Sequence, residues 1–227
     1  MRKFFILILL VVLSTVSIHT ALADYKTESN KVETRVGNPK ATTPGNAPPP
    51  PSDLRQGIID EFGITFNGLS QEKLQYAWEK FWDIKHTKFF DLLGNVTIDI
   101  HDDTSEQVNC NLIRLRRGLV EDGGEVLFKA VITHELSHII YHCNDESLSH
   151  TVDHENAFAA EGGVTYYGEV ACYGTAPITE DYAEMLAYYL NPGVVEQTGC
   201  GSRGVVPYAD GKFPKHYATA KMILGDY

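Results

Sequence analysis

Positive charge is scarce in this chain: 19 Lys and Arg face 30 Asp and Glu, a formal net charge of −11 at pH 7. That imbalance argues against nucleic acid or anionic lipid as partners, since both are bound through clustered cations. Cysteine is scarcer still, and none precedes Cys110; the four present are Cys110, Cys143, Cys172 and Cys200. Their spacing fits no common cysteine-rich zinc site. After the first 16 residues no apolar run is long enough to cross a bilayer, so no stable membrane insertion is expected from the rest of the chain. No internal repeat is visible.

What is present begins with an export signature. Met1-Arg2-Lys3 is basic, Phe4 to Val16 is nearly all apolar, and Ala21-Leu22-Ala23 has the small-x-small form of a cleavage site. This predicts a secretory signal peptide over 1–23 and a secreted or otherwise extracytoplasmic protein. Cleavage would take two of the 19 basic residues, leaving 17 against 30 acidic ones, net −13. An even cysteine count in an exported chain predicts two disulfides, with three possible pairings. Residues 24–52 are polar and end in Pro48-Pro49-Pro50-Pro51, a composition that cannot bury a core and reads as a disordered proline-rich spacer. The folded domain is then expected over 53–227, a length suited to one core and a monomer.

Within that domain, Gln71 to Ile84 has the period of an amphipathic helix, with Leu74, Ala77, Trp78, Phe81 and Trp82 on its core face. Asn95 to His101 and Leu112 to Leu119 alternate as strands that can pair. A helix is expected over Glu125 to His142, then a Gly-rich and polar connection over Asn144 to Thr175, with short strands near Val164 to Tyr167. Helices follow at Thr179 to Leu190 and Lys215 to Leu224. A few strands followed by helices make the expected fold class α+β.

The chemistry is concentrated in His134-Glu135-Leu136-Ser137-His138. On a helix the two histidines lie one turn apart on one face and can reach one metal ion, while Glu135 can reach a water beside it. Leu127, Val131, His134 and His138 recur at helical spacing, so the histidines are expected on an apolar stripe, where imidazoles need partners. The alternative is a core helix whose histidines are satisfied by ordinary hydrogen bonds. Because no cysteine precedes Cys110, no N-terminal thiolate can plug such a site.

A catalytic zinc takes three protein ligands and keeps one position open. Candidates after His138 are Glu155, Glu161, Glu169, Glu180, Glu184, His142, His150 and His154. The long zincin pattern is excluded, because Tyr141 and Asn144 stand where it needs Gly and His. Glu155 and Glu161 lack the aspartate expected four residues later; Ala159 follows one and Gly162-Gly163 the other. Thr179-Glu180-Asp181-Tyr182-Ala183-Glu184 fits better, with Thr179 as N-cap and two glutamates one turn apart. One of them can bind metal while the other hydrogen-bonds a ligating histidine. An acidic first turn that merely complements the helix dipole is the competing explanation. His142, His150 and His154 need no function.

Tyr173-Gly174, placed seven residues before Glu180, followed by Glu180-Asp181-Tyr182-Ala183-Glu184, resembles the catalytic domain of anthrax lethal factor and the secreted Pro-Pro endopeptidases. The resemblance covers about Glu125 to Leu190. It implies a zincin-like domain whose small sheet packs on the metal-binding helix and on a second helix bearing the third ligand. It further implies one catalytic Zn2+ held by His134, His138 and Glu180. Glu135 would be the general base, Tyr173 the hydroxyl that stabilises the oxyanion, and Glu184 the partner of a ligating histidine; Tyr166 and Tyr167 are reserves for Tyr173. The implied activity is hydrolysis of a peptide or protein substrate. A catalytically inactive binding module, or a zinc amidase acting on a non-protein amide, are the alternatives. The cysteines and the proline run depart from the family pattern.

Overall fold

The computed structural model describes residues 47–102, 106–122, 124–143, 147–163, 178–192, 197–198, 201–202 and 213–227. The first helix, α1 (Leu54–Phe62), follows from its cap and its spacing. The Asp53 carboxylate accepts from the Gln56 N–H, and Leu54, Ile58 and Phe62 recur every four residues on the buried face. Gly63 then ends it in the left-handed region at φ 70°, where a Cβ would lie 2.5 Å from Asn95 Oδ1. That turn delivers the chain into β1 (Ile64–Asn67).

The helices α2 (Gln71–Ile84) and α3 (Phe89–Leu93) connect β1 to β2 (Val96–His101), and β3 (Glu106–Asn109), β4 (Leu112–Arg116) and the short α4 (Arg117–Glu121) follow. The sheet runs β1-β2-β4-β3, parallel except for β3, which lies antiparallel on the edge. The registers Phe66↔Ile98 and Ile98↔Ile113 place one row of apolar side chains on a single face, and all three are buried. Phe81 of α2 covers that face, its ring stacked 6.2 Å from Phe66. The fold is thus a mixture of helices with a small, mostly parallel sheet, and among the described residues no helix is long and apolar enough to cross a membrane.

Among the described residues four further helices follow: α5 (Glu125–Cys143), α6 (Ser147–Glu161), α7 (Ile178–Leu190) and α8 (Pro214–Leu224), with a two-residue ladder of β5 (Gln197–Thr198) and β6 (Gly201–Ser202) between the last two. One apolar cluster runs from the sheet through Phe128, Ile132 and Leu136 of α5 to Tyr182 and Leu186 of α7. Each such side chain, fully buried, contributes about 1.5–3 kcal/mol. A disulfide joins Cys110, in the β3–β4 turn, to Cys143, the last residue of α5. Cys172 and Cys200 lie outside the described residues.

Several expectations change here. The second strand ends at Arg116 because the chain turns into α4; it pairs with β2 in parallel. The polar stretch expected as a connection contains α6, whose only buried side chains among those described are His154 and Ala157. It escapes an apolar-period search because its anchor is a histidine. Ile178 already belongs to α7, so Thr179 is not its cap. On α5 the buried positions are Phe128, Ile132, Thr133, Leu136, Ser137, Ile139 and Ile140, while Leu127, Val131, His134 and His138 lie half-buried along the border. The expected spacer's last residues touch the domain: Trp78 Nε1 donates to the Pro48 carbonyl at 3.1 Å, and Ala47 packs against the core. The short strands expected near Val164 to Tyr167 fall outside the described residues.

Candidate metal centre

Two helices, α5 and α7, build the site, and their packing is specified by polar as well as apolar groups. Thr133 and Ser137, both buried, bond back to carbonyls of their own helix: Thr133 Oγ1 to Lys129 and Ala130, Ser137 Oγ to Thr133. They therefore add no unsatisfied group to the interface. Asn191, just past α7, donates from Nδ2 to Thr133 Oγ1 at 2.8 Å and to the Ala187 carbonyl at 2.7 Å. This bond ties the end of α7 to the residue before His134.

The i, i+4 spacing brings His134 Nε2 and His138 Nε2 to 3.2 Å of each other, with the rings nearly perpendicular. Glu180 reaches across from α7: Oε2 lies 3.3 Å from His134 Nε2 and Oε1 lies 3.5 Å from His138 Nε2. Zinc with bonds of about 2.0–2.1 Å in a tetrahedron needs ligand atoms about 3.3–3.4 Å apart. The three separations fall around that value, and each is longer than the hydrogen-bond mode of about 2.9–3.0 Å. The second nitrogen of His134, Nδ1, is buried and lies 3.3 Å from Glu184 Oε1, close enough to attract though not aligned as a hydrogen bond. Glu180 is 44% exposed, so the cluster opens to solvent on that side.

Charge at the site favours a cation. Three carboxylates, Glu135, Glu180 and Glu184, surround two imidazoles. Burial pulls the His134 imidazolium down, but Glu184, Glu180 and Glu135 outweigh it and hold the group well above the ordinary histidine range. The facing ring nitrogens of His134 and His138 hold Glu180 far below the usual carboxylate range. Glu135 is pushed up, chiefly by burial and against the pull of both histidines. A carboxyl so placed is a stronger base than a free one, as proton transfer from water requires.

Of the sequence candidates, the structure brings together His134, His138 and Glu180 as a group that can hold a metal ion, with Glu184 beside His134. Glu155 and His142 are exposed elsewhere, and Glu161 faces His216. Tyr173, with Tyr166, Tyr167 and Glu169, lies outside the described residues. Among the described residues a second group, His154, Asp181 and His216, also meets at ligand distance and is fully buried. Sequence reasoning missed it, treating His154 as an ordinary loop residue and Asp181 as part of a dipole-complementing turn. No local pattern announces it, since its members are 27 and 35 residues apart. Comparison with family models, with curated proteins and with solved structures found no match for this chain.

Proposed function

We propose that the chain is an exported zinc-dependent endopeptidase, with His134, His138 and Glu180 as ligands and Glu135 as general base. One observation carries this reading. Two histidines from one helix and a glutamate from another converge with tetrahedral-edge spacing, and the half-buried carboxyl of Glu135 follows the first histidine. Zinc, when bound, supplies acidity to a coordinated water and polarises a carbonyl.

The chain's own residues do the rest. Glu184 faces the Nδ1 of His134 and keeps its Nε2 directed at the site. Glu135 takes a proton from the water that adds to the scissile carbonyl carbon, then gives it to the departing amine nitrogen as the C–N bond breaks. The resemblance to lethal factor and the Pro-Pro endopeptidases supplies Tyr173 as the donor to the carbonyl oxygen, where negative charge develops. The Cys110–Cys143 disulfide and the expected signal peptide support an extracytoplasmic site of action.

The test is digestion of a diverse peptide library by the mature protein, with products identified by mass spectrometry. Cuts abolished by a zinc chelator and restored by zinc are expected. A folded, zinc-loaded protein that makes no cuts in any library would shift the reading to a binding module.

A further inference from the structure

The residue next to the proposed third ligand takes the opposite course. Glu180 reaches the half-exposed histidine pair, while Asp181 is wholly buried. Asp181 Oδ2 lies 2.8 Å from His154 Nε2 and 2.9 Å from His216 Nε2. The other nitrogen of His216, Nδ1, lies 2.8 Å from Glu161 Oε2. Glu161 also accepts from the backbone N–H groups of Lys215 at 2.8 Å and His216 at 3.1 Å. Ionised carboxylates only accept, so His216 donates from both nitrogens and sits as a cation between two anions. The network joins α6 through His154 and Glu161, α7 through Asp181, and α8 through His216.

This cluster has metal-ligand residue types, but its spacing differs from that of the first site. Its contacts of 2.8 and 2.9 Å are hydrogen-bond lengths, shorter than the 3.2–3.5 Å separations among His134, His138 and Glu180. A closed structural zinc takes four ligands, and here the fourth residue, Glu161, is spent on the far nitrogen of His216. The arrangement is that of a charge-assisted hydrogen-bond network.

We infer that His154, Asp181, His216 and Glu161 form a metal-free brace that sets the rotation of the first turn of α7 and so positions Glu180 against His134 and His138. The inference rests on the reading of Glu180 as a ligand. Helix ends fray, and Glu180 lies in the first turn of α7. Anchoring its neighbour in the interior at two points leaves Glu180 one direction to take, about 100° around the helix. These four are positioning residues; none of them touches the proposed metal or a substrate.

The experiment is zinc titration of the mature full-length chain by chelator competition, with metal counted by mass spectrometry and folding checked by circular dichroism. Wild type, His216→Gln, Glu180→Gln and the double variant are compared well below their melting temperatures. One zinc per wild-type chain is expected. His216→Gln should keep that stoichiometry and bind about tenfold more weakly or worse. In the Glu180→Gln background the same change should have no further effect, which a general loosening of the fold would not reproduce. Unchanged affinity in His216→Gln, or the same loss in both backgrounds, overturns the brace. Two zincs per wild-type chain, one of them lost in His216→Gln, overturns it in favour of a second metal site. If Glu180→Gln itself leaves zinc binding intact, the ligand assignment fails first, and the failure is recognisable as such. Should His216→Gln not fold, His154→Gln, whose amide can still donate to Asp181, replaces it with the same expectations.

Discussion

Glu184 offers a graded perturbation of the candidate metal centre without replacing a proposed ligand. Its Oε1 lies 3.3 Å from His134 Nδ1, so a cation on Nε2 would draw the Nδ1 proton toward it. Removing partners of this kind weakens metal binding about 10–100-fold, about 1.4–2.7 kcal/mol. The Glu184 side chain is 23% exposed, so water screens part of its charge. We therefore expect Glu184→Gln, which keeps an acceptor and loses the charge, to bind zinc about 10–30-fold more weakly, and Glu184→Ala about 100-fold more weakly. Proton competition gives the pH dependence its sign. Burial lowers the His134 pKa, but Glu184 and the other carboxylates raise it well above its ordinary value. Wild type must release that proton to bind metal at low pH, and Glu184→Gln has less to release. The deficit should therefore be largest at alkaline pH and narrow as pH falls. The assay is chelator competition at several pH values on variants with native circular dichroism. Zinc affinity within twofold of wild type, or a deficit that widens on acidification, would refute the reasoning.

Three predictions concern the frame that holds the site. Tyr182 is fully buried, and among the described residues its hydroxyl has no hydrogen-bond partner. Tyr182→Phe should stabilise the fold by up to about 1–3 kcal/mol, raising Tm by about 2–4 °C per kcal/mol; a lowered Tm would reveal a partner for that hydroxyl. The Cys110–Cys143 disulfide closes a 33-residue separation, so replacing both cysteines with serine should cost about 3–4 kcal/mol in denaturant unfolding. Near-native stability would mean that the unfolded chain is already restrained there. Lys80 is buried, donates to Asp83 and to the Leu190 carbonyl, and burial lowers its pKa to about 8. From about pH 8 to pH 10 the unfolded chain holds a proton that the folded chain has released, so wild type should gain stability relative to Lys80→Met as pH rises. Parallel stability profiles for the two proteins would contradict the assignment.

The parts of the site legible in the sequence are those written at short range. His134, Glu135 and His138 follow from a single helical turn, and Glu180 with Glu184 from another. The α2 helix was legible through its aromatic period, its bounds Gln71 to Ile84 unchanged in the structure. Apolar spacing did not show how deep the histidines lie, because α5 is apolar on almost every side and its core face is chosen by its neighbours. The edge strand Glu106–Asn109 is polar and takes its conformation from pairing with β4. Helix α6 was invisible for a different reason: His154 is held by Asp181 and Glu161 holds His216, partners that local composition cannot announce. Polar burial is specified by the whole fold, and the sequence carries it only as scattered histidines and carboxylates.

The measurement that bears most directly on the central claim is a side-by-side comparison of wild type and Glu135→Gln. Both would be loaded with zinc, counted for metal, and assayed on a peptide that wild type cleaves. Glu135 is half-buried beside the histidine pair and lies outside the group that can hold a metal ion, so the variant should hold one zinc per chain while its turnover falls by at least about 10²–10⁴-fold. Undiminished cleavage by the zinc-loaded variant would contradict the account.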